Sequence, residues 1–144
     1  MRIMTAVILS LLFILSGCSA VNEGMSGNVS ENVSENAGGK GEYVRISAEE
    51  AKMIIDSEED VIILDVRTQS EYDSGYIRGA LLLPYDRIDV EADTVLPDKN
   101  AKILIYCRSG NRSAIAARAL LELGYTDVTD FGGIIDWPYE VVSE

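Results

Sequence analysis

The sequence contains no histidine, and this absence removes several kinds of catalytic and metal site. A Ser-His-Asp triad, a Cys-His nucleophile pair and an imidazole metal site all need that side chain. Cysteine is nearly absent as well, because Cys18 and Cys107 are the only two in 144 residues. They supply neither a CxxC redox pair nor a four-cysteine metal site. Any nucleophile in this protein must therefore be activated without an imidazole group.

Positive charge is also scarce, with 12 Lys and Arg against 24 Asp and Glu and a formal net charge of -12. A surface of this kind repels the phosphate backbone of nucleic acids, which we therefore exclude as partners. The chain length suits one compact domain, since domains commonly contain roughly 100–150 residues. The composition predicts a single acidic domain.

The first 17 residues have the pattern of a signal peptide. Arg2 precedes an apolar run over residues 3–15, which is too short to cross about 30 Å of hydrocarbon as a helix. The following "LSGC" at 15–18 resembles the lipobox of bacterial lipoproteins, whose cysteine is acylated and becomes the first mature residue. The resemblance implies a lipid anchor of the palmitate type on Cys18 and a position on the extracytoplasmic face of the cell membrane. An ordinary signal peptide is the alternative.

Residues 18–42 are rich in Gly, Ser, Asn and Glu and include the repeat "NVSENVSE". A segment with so little to bury is predicted to be a flexible linker. The folded domain is therefore expected to occupy residues 43–144.

From residue 43 onward, short apolar runs alternate with helical patterns. "VIILDV" and "KILIYC" are apolar on both faces, which is typical of central strands of a parallel sheet covered by helices. After the second run, Ile115, Ala119 and Leu123 recur every four residues, which predicts a helix that packs this face on the sheet beside Ala116 and Leu120. The pattern predicts an α/β fold with a small, mainly parallel sheet of about five strands between helices.

Cys107 ends the apolar run "KILIYC" and is followed by "RSGNRS" before the helical pattern begins. Ligands bind beyond the carboxyl ends of parallel strands, and Gly110 and Asn111 readily accept positive φ, which lets backbone N–H groups turn inward. These N–H groups, the helix dipole and the charges of Arg108 and Arg112 would each favour the thiolate. A small buried hydrophobic residue is the other interpretation of Cys107. The predicted anion-binding loop consists of Arg108, Ser109, Gly110, Asn111, Arg112 and Ser113.

Four stretches resemble the rhodanese domain, the single-domain sulfurtransferase family, and together they cover nearly all of residues 43–144. They are "LDVRTQSEYDSGYIRGA" at 64–80, "YCRSGNRSAIAARALLELGY" at 106–125, "DVTDFGG" at 127–133, and Trp137 separated by three residues from the preceding Gly-Gly. The resemblance implies a rhodanese-like three-layer α/β/α fold without a metal or organic cofactor. It also implies that Cys107 takes sulfur from a small donor such as thiosulfate as a persulfide and passes it to cyanide or a thiol.

Asp65 and Arg67 match the Asp-x-Arg of this family. They are assigned a supporting role, either as electrostatic support of the pocket or, preferably, as a buried ion pair that fixes the strand end. The family pattern Gly-His-Ile-Pro-Gly-Ala is altered to "GYIRGA", with Tyr76 for histidine and Arg78 for proline, and Leu82 stands where asparagine is common. These departures concern pocket details and partner choice.

Two other functions remain open. A tethered sulfur-carrier or binding module without turnover would have the same loop. A cysteine phosphatase or arsenate reductase is less favoured, because protein tyrosine phosphatases place five residues between Cys and Arg, whereas four separate Cys107 from Arg112. An extracytoplasmic redox or sulfur-acceptor protein is a further candidate partner, since Cys107 has no partner in its own chain once Cys18 is acylated.

Overall fold

The computed structural model describes residues 43–58 and 60–143 of the chain. The predicted signal peptide, the lipidation site Cys18 and the linker up to residue 42 lie outside the described residues. Within the two described ranges, no helix has the length and apolar character needed to cross a bilayer.

Five parallel strands form one sheet in the order β1-β5-β4-β2-β3. The strands are β1 Val44–Arg45, β2 Val61–Asp65, β3 Leu81–Leu82, β4 Lys102–Cys107 and β5 Asp127–Gly133. The helices are α1 Ala48–Ser57, α2 Gln69–Asp73, α3 Ile88–Val95 and α4 Asn111–Glu122, with 3₁₀ turns at Tyr85–Arg87 and Ile134–Asp136. The predicted α/β fold with about five mainly parallel strands is confirmed.

The central strand β4 is buried on both faces, as its continuous apolar sequence predicts. Ile103, Ile105 and Cys107 belong to the apolar cluster that includes α3 and α4. Leu104 and Tyr106 belong to the cluster on the opposite face, which includes α1. This alternation follows from the two-residue period of a strand and places the Cys107 side chain against α4.

The predicted packed face of α4 is partly wrong. Ile115 is 54% exposed, although its apolar side chain suggested burial, and Ala119 and Leu123 are only partly buried. The residues that face the sheet are Ser113, Ala116, Ala117, Leu120 and Leu121. The helical period places Ile115 on the opposite side of α4 from these buried residues, so that it faces solvent.

Strand β2 ends in a buried ion pair between Asp65 and Arg67, which are 0% and 5% exposed. The Asp65 carboxylate accepts the Arg67 backbone N–H at 2.9 Å and the guanidinium Nη2 at 2.5 Å. Nη2 also donates to the carbonyl of Gly75 at 2.7 Å, and the guanidinium lies 5.6 Å from the centre of the Tyr106 ring. The pair closes the turn from β2 into α2. This turn lies at the carboxyl ends of the parallel strands, as Cys107 does.

We predict that Asp65→Asn lowers the free energy of unfolding by about 3–5 kcal/mol, because the buried Arg67 guanidinium loses its counter-charge. Urea denaturation of both chains would measure the loss. The matched control is Asp56→Asn, which breaks the exposed Lys52–Asp56 pair on α1 and should have a much smaller effect. Similar losses in the two variants would show that the Asp65–Arg67 pair does not stabilise the strand end.

Candidate functional site

Cys107 is the last residue of β4 and is only 1% exposed. The pairing of β4 with β5 shifts between Ile105 and Cys107, so that Cys107 lies opposite Gly133. The chain then bends through three residues before α4 begins. Gly110, directly before the helix, has φ +94°, a conformation that favours glycine. A Cβ at this position would also lie 2.5 Å from the Arg45 guanidinium.

Backbone N–H groups converge on the Cys107 sulfur, and Gly110 N–H donates to Sγ at 3.1 Å. Burial by itself would raise the pKa of the Cys107 thiol. Hydrogen bonds from the N–H and hydroxyl of Ser113 and from the N–H groups of Ser109 and Gly110 outweigh this effect and hold the pKa below its ordinary value. The site thus favours a sulfur anion.

The Ser113 hydroxyl also lies within hydrogen-bond distance of two backbone carbonyls, at 3.1 Å from that of Gly110 and 3.3 Å from that of Gly132. One hydroxyl hydrogen cannot serve the sulfur and both carbonyls at once. The N–H groups are therefore the constant part of the anion site. The hydroxyl in addition ties the first turn of α4 to the end of β5.

The backbone of β5 supports the loop from behind. A Cβ at Gly133 would lie 2.5 Å from the carbonyl oxygen of Arg108 and 2.6 Å from the Cα of Ser109. The same Arg108 carbonyl accepts the N–H of Ile135 at 3.2 Å. Gly133 is therefore needed for close approach of two backbones, and the Gly-Gly before Trp137 belongs to the support of the site.

The two arginines of the loop have different surroundings. Arg112 donates through Nη1 and Nη2 to the two carboxylate oxygens of Glu71, both at 2.7 Å. Arg108 is exposed and has no carboxylate partner within the described residues. Only Arg118, which lies over the Tyr43 ring, shares this property among the described Lys and Arg side chains. Arg108 thus provides the unpaired positive charge beside Cys107.

A cavity of about 230 Å³ opens beside the loop. One part of its wall is charged and another part is apolar. Arg67 and Glu71 are each paired with a residue outside the lining, whereas Arg108 has no carboxylate partner among the described residues. The lining residues are Arg67, Glu71, Ser74, Arg108, Ile134 and Ile135. The space is large enough for a small anionic molecule next to the loop.

Asn111 does not contribute a positive φ to the loop, because it is the first residue of α4.

The sequence interpretation also missed Glu71 and Asp130. The T-x-x-E pattern at 68–71 indicates a helix N-terminus, which α2 confirms, but it does not reveal the contact of Glu71 with Arg112. Asp130 is fully buried on β5 and accepts the Gly132 N–H at 2.9 Å. The position of this aspartate within the strand "DVTDFGG" was the sequence feature that could have indicated a structural role for Asp130.

No group of three or more Cys, Asp or Glu side chains with the geometry of a metal site occurs in residues 43–58 and 60–143. The lowered pKa of the Cys107 thiol supports nucleophilic chemistry at this sulfur atom.

We predict that alkylation of Cys107 by iodoacetamide accelerates with pH along a curve whose midpoint lies below the ordinary thiol value of about 8.5. Ser113→Ala removes one donor and should move the midpoint to higher pH, so that the reaction at pH 7 slows. Mass spectrometry of the Cys107 peptide would follow the reaction. Ser57→Ala, at the exposed end of α1, is the control and should leave the curve unchanged. A wild-type midpoint at or above the ordinary value would contradict the predicted activation.

Known proteins with similar sequences include sulfurtransferases. The rhodanese-like domain matches residues 47–138. The thiosulfate sulfurtransferase PspE of Escherichia coli is 36% identical over 73 residues, which are 51% of this chain and 70% of PspE. The putative sulfur carrier protein YrkF of Bacillus subtilis is 37% identical over 108 residues, 74% of this chain but only 56% of YrkF.

The fold has known counterparts as well. The crystal structure of a rhodanese-like domain protein from Staphylococcus aureus has a TM-score of 0.61 and 33% sequence identity to this chain. The likeness covers 70% of this chain and 98% of that structure. Since the family match extends from the residue before α1 to the residue after Trp137, this chain belongs to the rhodanese-like domain family.

Proposed function

We propose that this protein is a sulfurtransferase that carries a sulfane sulfur on Cys107, from thiosulfate or a similar small donor to a thiol or cyanide. The main support is the position of the Cys107 sulfur within hydrogen-bond distance of the Gly110 N–H in a loop that favours the thiolate. The name of the relative PspE supports thiosulfate as a donor. No step requires a histidine, in agreement with the composition.

In the first half-reaction, the Cys107 thiolate attacks the outer sulfur of thiosulfate. The new Sγ–S bond forms as the S–S bond of the donor breaks, and sulfite leaves with its electron pair. The outer sulfur of the resulting persulfide carries the negative charge. The N–H groups of Ser109, Gly110 and Ser113 stabilise this charge in the same way as that of the thiolate.

In the second half-reaction, the acceptor attacks the outer sulfur and the Sγ–S bond breaks. Cyanide becomes thiocyanate, or a thiolate becomes a persulfide, and Cys107 returns as a thiolate with the electron pair of the broken bond. One sulfur atom thus serves as nucleophile in the first step and as leaving group in the second. A lowered thiol pKa assists its departure.

Arg108 gives the donor a place to bind. Thiosulfate is a dianion, and most of the described positive charges are already paired with carboxylates. Arg108 is unpaired and lines the cavity beside the loop. Its guanidinium can donate to the sulfonate oxygens while the sulfur end of the donor faces Cys107.

A sulfur-carrier role without turnover is the second candidate, and the similarity to the putative sulfur carrier YrkF favours it. The same loop would hold the persulfide in both cases. The two functions differ in whether the loaded protein gives up its sulfur to a small acceptor.

We predict that incubation with thiosulfate adds one sulfur atom to the intact mass of the protein, and that added cyanide then yields thiocyanate over many turnovers. Cys107→Ser should abolish both, whereas Cys18→Ser should affect neither. A loaded persulfide that cyanide cannot remove would establish the carrier function. Absence of the added sulfur in the wild-type protein would exclude both functions.

We further propose that residues 1–17 are a signal peptide and that acylated Cys18 anchors the protein to the cell membrane on its extracytoplasmic face. The "LSGC" sequence at 15–18 supports this proposal. A chain with acyl groups on Cys18 gains roughly 0.8 kcal/mol of membrane affinity per buried CH₂ group. We propose residues 18–42 as a flexible linker between this anchor and the domain.

Expression of the full chain in a bacterial host tests the anchor. We predict that the wild-type protein sediments with membranes and incorporates labelled palmitate, and that Cys18→Ser abolishes the incorporation. Cys107→Ser is the control and should leave the incorporation intact. A wild-type protein that is exported but carries no lipid would support the ordinary signal peptide instead.

A further inference from the structure

The proposed reaction leaves one side chain of the site unexplained. Glu71 places a carboxylate on the wall of a cavity that should receive an anionic donor. A free carboxylate in this position would repel thiosulfate. The Glu71 carboxylate is instead engaged by Thr68 and Arg112.

Glu71 is held in place from its own helix. Its Oε2 accepts the backbone N–H of Thr68 at 3.0 Å and the Thr68 hydroxyl at 2.9 Å, in a capping box at the start of α2. The hydrogen bonds from Arg112 and Thr68 outweigh burial and lower the pKa of Glu71 to about 2, so the carboxylate is charged throughout the neutral range. Glu71 is therefore a fixed anion that Arg112 must approach.

Arg112 meets this anion with both terminal nitrogens of its guanidinium. It is the second residue of α4, and the pKa of its guanidinium is raised mainly by the hydrogen bonds to Glu71 and further by the negative charge of a Cys107 thiolate. Without Glu71, a long and flexible arginine side chain at this position could reach the sulfur site. The bidentate contact holds the guanidinium on the Glu71 carboxylate.

A second guanidinium at the sulfur would change the chemistry. It would stabilise the bound donor and the persulfide anion more than the transition state in which the acceptor attacks the sulfur. Stabilisation of bound ground states lowers KM without raising kcat, and it slows release of the carried group. Restraint of Arg112 therefore favours turnover.

We propose that Glu71 is a positioning residue that keeps Arg112 away from the Cys107 sulfur and leaves Arg108 as the cation that selects the donor. This role rests on the proposed sulfurtransferase function. It predicts that neutralising Glu71 tightens donor binding, whereas a merely structural Glu71 would leave donor binding unchanged or weaker.

The test uses Glu71→Gln in the full chain. Glutamine at this position still satisfies the capping box of α2, so the helix start is preserved while the negative charge is removed. We expect the KM for thiosulfate to fall about fivefold, the effect of one added charge interaction of ordinary size, and sulfur release from the loaded protein to slow by a similar factor.

Three further variants isolate the cause. The double variant Glu71→Gln, Arg112→Gln should lose the gain in donor affinity, because no guanidinium is left to reach the sulfur. Arg108→Gln should change KM in the opposite direction. Glu91→Gln breaks the similar Arg87–Glu91 pair on α3 and should change nothing. An unchanged or raised KM in Glu71→Gln, or a lowered KM that persists in the double variant, would overturn the proposal.

A second readout separates this proposal from the proposed function. The pH dependence of Cys107 alkylation, followed by mass spectrometry of its peptide, needs no turnover. We expect the midpoint to move to lower pH in Glu71→Gln and to return in the double variant. If the wild-type protein neither loads sulfur nor turns over, the sulfurtransferase function fails. The pH dependence of Cys107 alkylation then tests the role of Glu71 by itself. A midpoint in Glu71→Gln equal to that of the wild-type protein would overturn the proposed role.

Discussion

The close packing of the Cys107 loop against the end of β5 is the constraint on which the site depends. A sulfur atom that is almost fully buried would prefer to stay protonated, because burial disfavours charge. The loop reverses this preference only while its N–H groups point at the sulfur. The missing side chain of Gly133 and the positive φ of Gly110 allow the backbone to take that path.

Two Arg–carboxylate pairs flank the loop and differ in burial. The Asp65–Arg67 pair is almost completely enclosed and holds the end of β2 beside the sulfur. The Glu71–Arg112 pair is about one-quarter exposed and joins α2 to the first turn of α4. The Asp65–Arg67 pair holds the backbone at the end of β2. In the proposed role, the Glu71–Arg112 pair holds the Arg112 guanidinium away from the sulfur.

The acidic composition gives the small number of positive charges particular importance. A net charge of -12 repels anionic donors at long range, and salt screens this repulsion over roughly 10 Å. Most described cations are paired with nearby carboxylates, and the two exceptions are Arg108 and Arg118. Of these two, only Arg108 lines the cavity beside the Cys107 loop.

The sequence alone determined the α/β class, the approximate strands and the position of Cys107 at the end of a buried strand. These depend on local periodicity and on residues adjacent in the chain, such as "YCRSGNRS". It did not reveal that Glu71 binds Arg112 across 41 positions, that Asp130 orients Gly132, or that Ile115 faces solvent. Tertiary packing decided these features, because partners distant in sequence meet only when the strands align. The buried face of α4 likewise follows from the packing of the whole helix and not from the apolar character of single residues.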